Sequence, residues 1–130
     1  MPNAVEELLR FEAPSPVQAR YVNEDIVIHG QTVPEGSAMV LVNGSANHDE
    51  RKWGPTSEEF DMRRKMDHHL SFGYGLHFCL GAALARLELR IVLEQMLDRF
   101  GAIAPEGPVK RSGSSIIAGL ERAPLLVASE

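Results

Sequence analysis

The chain has 130 residues, with 13 Lys+Arg against 18 Asp+Glu, a formal net charge of −5 with histidines neutral. Hydrophobic residues make up 44% and charged residues 24%, so one folded domain is expected and global disorder is not. No apolar run approaches the roughly 20 residues of a membrane span, and no basic block marks a nucleic-acid partner.

The N-terminal segment MPNAVEELLRF carries acids where a secretory leader would carry positive charge. With Cys79 the single cysteine, an intramolecular disulfide is excluded, and a reducing, cytoplasmic setting is expected. Ala4, Val5, Leu8 and Leu9 predict a helical apolar face over residues 4–12. Asn3 is the expected cap and Glu6 its capping-box partner, while Pro14 and Pro16 prevent continuation. Residues 17–43 read as strands, with turns at Gly30 and at Pro34-Glu35-Gly36. The run AMVLVN (38–43) is expected to be buried on both faces. A polar, irregular stretch follows from Gly44 to about Ser71, and loops of that length are often functional. It includes the basic cluster Arg63-Arg64-Lys65, a candidate meeting point for an acidic partner or simply a solvated basic face. From Leu80 to about Phe100, the apolar residues Leu80, Leu84, Leu87, Ile91 and Met96 fall at helical spacings and predict a long helix, stopped by Gly101. The tail reads as a hairpin: SSIIAGL, a turn at Glu121-Arg122, then PLLVAS.

The chemistry-bearing segment is Phe72-Gly73-Tyr74-Gly75-Leu76-His77-Phe78-Cys79-Leu80-Gly81. Gly73 and Gly75 permit tight bends and close approach to a flat ligand. Cys79 directly precedes the long helix, where unpaired N–H groups and the helix dipole favour an anion. A thiolate there is a soft-metal ligand. Gly81 removes a side chain beside it. The competing reading of Cys79 is a small buried hydrophobe. A dinucleotide loop is a poor match, because the third glycine and the preceding strand are missing. A non-haem metal site from His69, His77 and Cys79 fits no common zinc spacing.

Phe72-x-x-Gly75-x-His77-x-Cys79-x-Gly81 resembles the haem-binding signature of the cytochrome P450 family at every defining position. In that family the cysteine thiolate is the proximal ligand of haem iron and pushes electron density that favours O–O cleavage. The resemblance gives that role, with haem b (iron protoporphyrin IX) as cofactor, to Cys79. It implies propionate-binding roles for Arg20 and His77 and makes His69 a further candidate. Phe72 would shield the sulfur from water, with Gly73 and Gly81 lining the cofactor site. Glu7-Leu8-Leu9-Arg10 resembles the family's Glu-x-x-Arg motif and implies a buried structural pair, Glu7 and Arg10. Ala46-Asn47-His48-Asp49 resembles Ala-Asn-Arg-Asp, with His48 for arginine and Glu50 at the usual proline. Phe60-Asp61-Met62-Arg63-Arg64 resembles Phe-Asp-x-x-Arg.

The implied fold class is α+β, mainly α: the C-terminal portion of the cytochrome P450 fold. Its parts would be the Glu-x-x-Arg helix, strands, meander, cysteine loop, long helix and tail hairpin. Residues 1–130 would then be the haem-binding C-terminal part, with the N-terminal portion absent. Uncovered apolar helix faces are the expected consequence. Two functional readings follow. One is a soluble, bacterial-type haem-thiolate monooxygenase, or part of one, acting on a small organic substrate with a redox partner such as a ferredoxin. The other is a haem-binding fragment lacking the distal oxygen-activating helix, with an N-terminal companion chain as a candidate partner.

Overall fold

The computed structural model describes residues 1–114 and 116–128. Helix α1 runs Pro2–Phe11 and carries proline in its first turn, where a missing N–H costs nothing. Asn3 is not its cap. The N-cap is Met1, without a side-chain bond, and Asn3 lies inside the helix. Its side-chain amide instead donates to the carbonyls of Met62 (2.5 Å) and Arg64 (3.0 Å), nearly sixty residues away. A long-range pair of carbonyls has displaced the local cap.

Strands β1 (Gln18–Tyr21) and β4 (Ala38–Leu41) pair antiparallel, as do β2 (Ile26–Ile28) and β3 (Gln31–Val33). AMVLVN is not buried on both faces: β4 alternates, and Val40 and Val42 are more than half exposed. The reason is topological, because β4 belongs to a two-stranded ribbon with no layer on its second side. The stretch expected to be irregular holds two short helices, α2 (Asn43–Ala46) and α3 (Glu50–Trp53). Asp49 caps α3 by accepting from the Arg51 amide, so Glu50, at the family's usual proline, opens a regular helical turn.

Helix α4 spans Ala82–Arg99, with Gly81 as N-cap. It packs on α1 through Ala82, Ala85, Leu89 and Leu93, against a core of Val5, Leu9 and Phe72. Leu80, Leu84, Leu87 and Ile91 are exposed. The helix is apolar on more than one side, and α1 covers only one of them. Uncovered apolar side chains agree with the expectation of exposed helix faces.

The tail hairpin is also corrected. β7 (Leu120–Arg122) pairs with β6 (Lys110–Arg111), and β8 (Leu125–Ala128) pairs with β5 (Ala102–Pro105). Each of the two segments thus finds its partner upstream rather than in the other. Ser115 and Ser129, part of the expected hairpin, lie outside the described residues.

Candidate functional site

The loop from Phe72 to Gly81 is shaped by two left-handed glycines, Gly73 (φ +71°) and Gly75 (φ +72°). Any residue with a Cβ is strained there. The loop is closed by main-chain bonds: the Cys79 amide donates to the Phe72 carbonyl (2.9 Å) and the Phe78 amide to the Gly75 carbonyl (3.0 Å). Gly75–His77 forms one 3₁₀ turn. Cys79 is not adjacent to α4. It precedes the N-cap Gly81 by two positions, and its carbonyl accepts from the Ala82 amide (3.2 Å).

Cys79 is a free, exposed thiol, which removes the buried-hydrophobe reading. A Cβ at Gly81 would stand 3.8 Å from Cys79 Sγ, so the glycine leaves one flank of the sulfur open. Leu76, Phe78 and Leu80, next to it in sequence, are large exposed apolar residues. His77 is exposed as well. An open thiol in a loop rich in exposed apolar groups, with the exposed imidazole of His77 two residues away, suits a lipophilic iron macrocycle bearing carboxylates.

Arg20 is half-buried on β1, donating to the carbonyl of Ala19 (2.8 Å) and to Gln18 Oε1 (3.3 Å). Gln18 shares its strand face. A Cβ at Gly73 would lie 3.8 Å from Gln18 Oε1, so β1 stands directly beside the cysteine loop. Phe72 is buried, with the Phe78 ring 6.4 Å away between centroids and the Arg86 guanidinium 4.6 Å from its own.

His69 lies inside the fold. Its side chain is 2% exposed and both ring nitrogens are engaged: Nδ1 accepts from the Ser71 amide (3.2 Å) and Nε2 lies 3.2 Å from Glu6 Oε2. Since Nδ1 accepts an N–H, the proton of the neutral ring sits on Nε2 and points at Glu6. Burial pushes His69 below the usual imidazole range, and the Glu6 carboxylate only partly opposes this. The ring is engaged by Glu6 and by the Ser71 amide. Among the described residues, no group of three or more His, Cys, Asp or Glu side chains is placed to hold a metal ion.

Behind the loop lies the Glu7–Arg10 pair, both fully buried. Arg10 donates to Glu7 through Nε (2.6 Å) and Nη2 (2.9 Å), and to the carbonyls of Asn47 (2.7 Å), Ser57 (2.9 Å) and Glu59 (3.1 Å). Glu7 Oε1 also accepts from the Asp61 amide (2.9 Å) and Arg64 Nε (3.1 Å). Burial alone would raise the Glu7 carboxyl, but these donors override it and hold it below its ordinary value.

Arg64 was missed as a structural residue. Its side chain is 8% exposed and turned onto Glu7, so the basic cluster reduces to the exposed Arg63 and Lys65. The signal was present in the Phe-Asp-x-x-Arg spacing that ends on Arg64. Asn47 was also missed. It is buried, donates to Ser71 Oγ (2.8 Å) and accepts from the Leu70 amide (2.7 Å), tying the Arg10 network to the cysteine loop. His48, in place of the family's arginine, takes up the bracing: Nε2 lies 2.9 Å from the Phe11 carbonyl and Nδ1 3.2 Å from Glu58.

The cytochrome P450 family model matches residues 1–124. A putative cytochrome P450 126 of Mycobacterium tuberculosis is 40% identical over 92% of this chain, which spans 29% of that relative. A 6-deoxyerythronolide B hydroxylase of Saccharopolyspora erythraea is 41% identical over 80% of the chain and 26% of its own length. Among solved structures, cytochrome P450 CYP109Q5 from Chondromyces apiculatus superposes with a TM-score of 0.93 at 36% identity, covering 99% of this chain and 33% of that one. The chain thus spans about three-tenths of the relatives it matches, 29% of the first of them. No helix among the described residues is long and apolar enough to cross a membrane. A matched family model over nearly the whole chain, together with these relatives, places this chain in the cytochrome P450 family, whose members carry haem.

Proposed function

We propose that residues 1–130 form the haem-binding C-terminal portion of a haem-thiolate monooxygenase, with Cys79 as the proximal iron ligand. The whole enzyme inserts one oxygen atom of O₂ into a small organic substrate, and the other leaves as water. Electrons come from a redox partner such as a ferredoxin. Haem b, when bound, supplies the iron centre for dioxygen chemistry. The residues of this chain bind, orient and shield it. Cys79 donates sulfur, and Gly73 and Gly81 leave space for the ring. Arg20 and His77 hold the propionates, and Phe72 keeps water from the inner side of the loop. Exposed Arg63 and Lys65 offer positive charge to an acidic carrier. The cytoplasm is the setting that suits one free thiol and this chemistry.

The observation that supports this reading is the exposed Cys79 sulfur with Gly81 at its flank, on a loop carrying the family's signature. The test is the spectrum of the reduced protein with haem and carbon monoxide. Wild type gives the thiolate-type Soret band. Cys79→Ser loses it while melting within about 0.5 kcal/mol of wild type, as an exposed substitution should. A thiolate-type band that persists in Cys79→Ser overturns the ligand assignment.

A second reading, a haem-binding unit that does not activate oxygen by itself and works with a separate N-terminal companion chain, is favoured by the exposed apolar residues of α4. Substrate turnover with a reduced ferredoxin by this chain alone excludes it.

A further inference from the structure

Three elements far apart in sequence meet under the cysteine loop. Glu6 on α1 accepts from Arg86 on α4 through Nε (2.6 Å) and Nη2 (2.9 Å), and His69 Nε2 lies 3.2 Å from Glu6 Oε2. The Arg86 guanidinium is held over the Phe72 ring, 4.6 Å from its centroid, and the His69 ring centroid stands 5.9 Å from that of Phe72. Phe72 in turn presents the carbonyl that accepts the Cys79 amide at 2.9 Å.

We infer that Arg86 is a positioning residue for Cys79: fixed by Glu6 in a two-point ion pair, its planar guanidinium seats the Phe72 ring, and Phe72 anchors the Cys79 backbone. Planarity is the requirement. A guanidinium satisfies both carboxylate oxygens edge-on and stacks face-on at the same time, whereas a lysine ammonium supplies the charge without the plane. His69 completes the seat by donating to Glu6 and accepting from the Ser71 amide, so Ser71 and Phe72, the two residues before Gly73, are held from both ends. The arrangement makes the loop's backbone the stiff part of the site, so that an exposed sulfur keeps a set direction. This inference rests on the reading of Cys79 as the iron ligand for its consequence, but not for its geometry.

The experiment compares wild type, Arg86→Gln, Arg86→Lys and Glu6→Gln by amide hydrogen exchange, without added haem. The Cys79 amide is read against the α1 amides of Leu9 and Arg10. Cys79 exchange is expected to rise about tenfold in Arg86→Gln and Arg86→Lys, as loss of one partly desolvated cation–π contact gives, with α1 amides changing less than about threefold. Unchanged Cys79 exchange overturns the inference, and so does a rise matched by α1, which marks general loosening. Should Arg86→Gln fail to fold, Arg86→Lys, which retains the charge, decides the same comparison. With haem and carbon monoxide, Arg86→Lys is expected to lose the thiolate-type band about tenfold faster than wild type. A wild type that never shows that band refutes the ligand assignment, while the exchange comparison still decides the role of Arg86.

Discussion

Arg10 tests how far a single buried cation holds this fold together. Replacing it with methionine keeps an unbranched chain of similar length and deletes every donor. The five bonds it donates are lost, two to Glu7 and one each to the carbonyls of Asn47, Ser57 and Glu59. Glu7 keeps the Asp61 amide and Arg64, and Glu59 keeps Arg64 Nη2 at 3.0 Å. The carbonyls of Asn47 and Ser57 lose this buried donor. Breaking one side of a buried pair costs about 3–5 kcal/mol, and a carbonyl left unpaired adds about 1–3 kcal/mol. Set against total stabilities of about 5–15 kcal/mol, the substitution removes most of what is available. The expected fall in melting temperature exceeds about 10 °C. Arg63→Met, on an exposed neighbour of the same cluster, is the control and should change stability by no more than about 0.5 kcal/mol. Thermal melting of the purified protein by circular dichroism reads both. An Arg10→Met protein that melts within about 3 °C of wild type refutes the reasoning, because the network would then carry no net stability.

Two further expectations concern acid and the loop glycines. His69 is held below its ordinary value of 6.5 and Glu6 and Glu7 below theirs of 4.5, so for each the unfolded chain binds protons more readily than the fold. Stability is therefore full above about pH 6.5, declines first as His69 is drawn into protonation, and declines again below about 4.5 as the two carboxylates follow. Urea midpoints measured across pH should show both steps, and His69→Gln should remove only the first; a flat profile between 6.5 and 4.5 in wild type contradicts the buried neutral ring. Gly73→Ala and Gly75→Ala each force a side chain into left-handed backbone, at about 1–2 kcal/mol. At Gly73 the new methyl would stand in ordinary contact with the His77 carbonyl at 3.6 Å and at Gly75 in open space, so backbone strain is the whole cost and should be alike at the two positions. Denaturation midpoints unchanged from wild type in both variants would show that the loop relaxes freely.

Much of the candidate site was legible before any coordinates. Glu7 and Arg10 lie three apart on one helix, so their meeting is a matter of local geometry. The glycines at 73 and 75 announce the bends that the backbone makes there. The single cysteine stands where the signature places it, and it is exposed. What could not be read were the choices made between distant segments. Asn3 prefers two carbonyls near residue 63 to its own helix end. Arg64 leaves its basic neighbours for Glu7, and His69 turns inward to Glu6 rather than outward. The strands of the tail pair upstream instead of with each other.

The division has one physical cause. Backbone strain at a glycine, the ending of a helix at a proline and the reach of one side chain to another three or four residues away depend on neighbours along the chain. The sequence by itself therefore determined the first helix, the cysteine loop, the long helix and the pair beneath them. Burial is different, because whether a charged or apolar side chain leaves water depends on what arrives from elsewhere to cover it. Only the tertiary structure could decide that α4 packs through Ala82, Ala85, Leu89 and Leu93 while Leu84 and Leu87 face solvent. It alone joined Glu6 to His69 and Arg86 beside Phe72, because each is held there by a partner more than sixty residues from its own place in the chain.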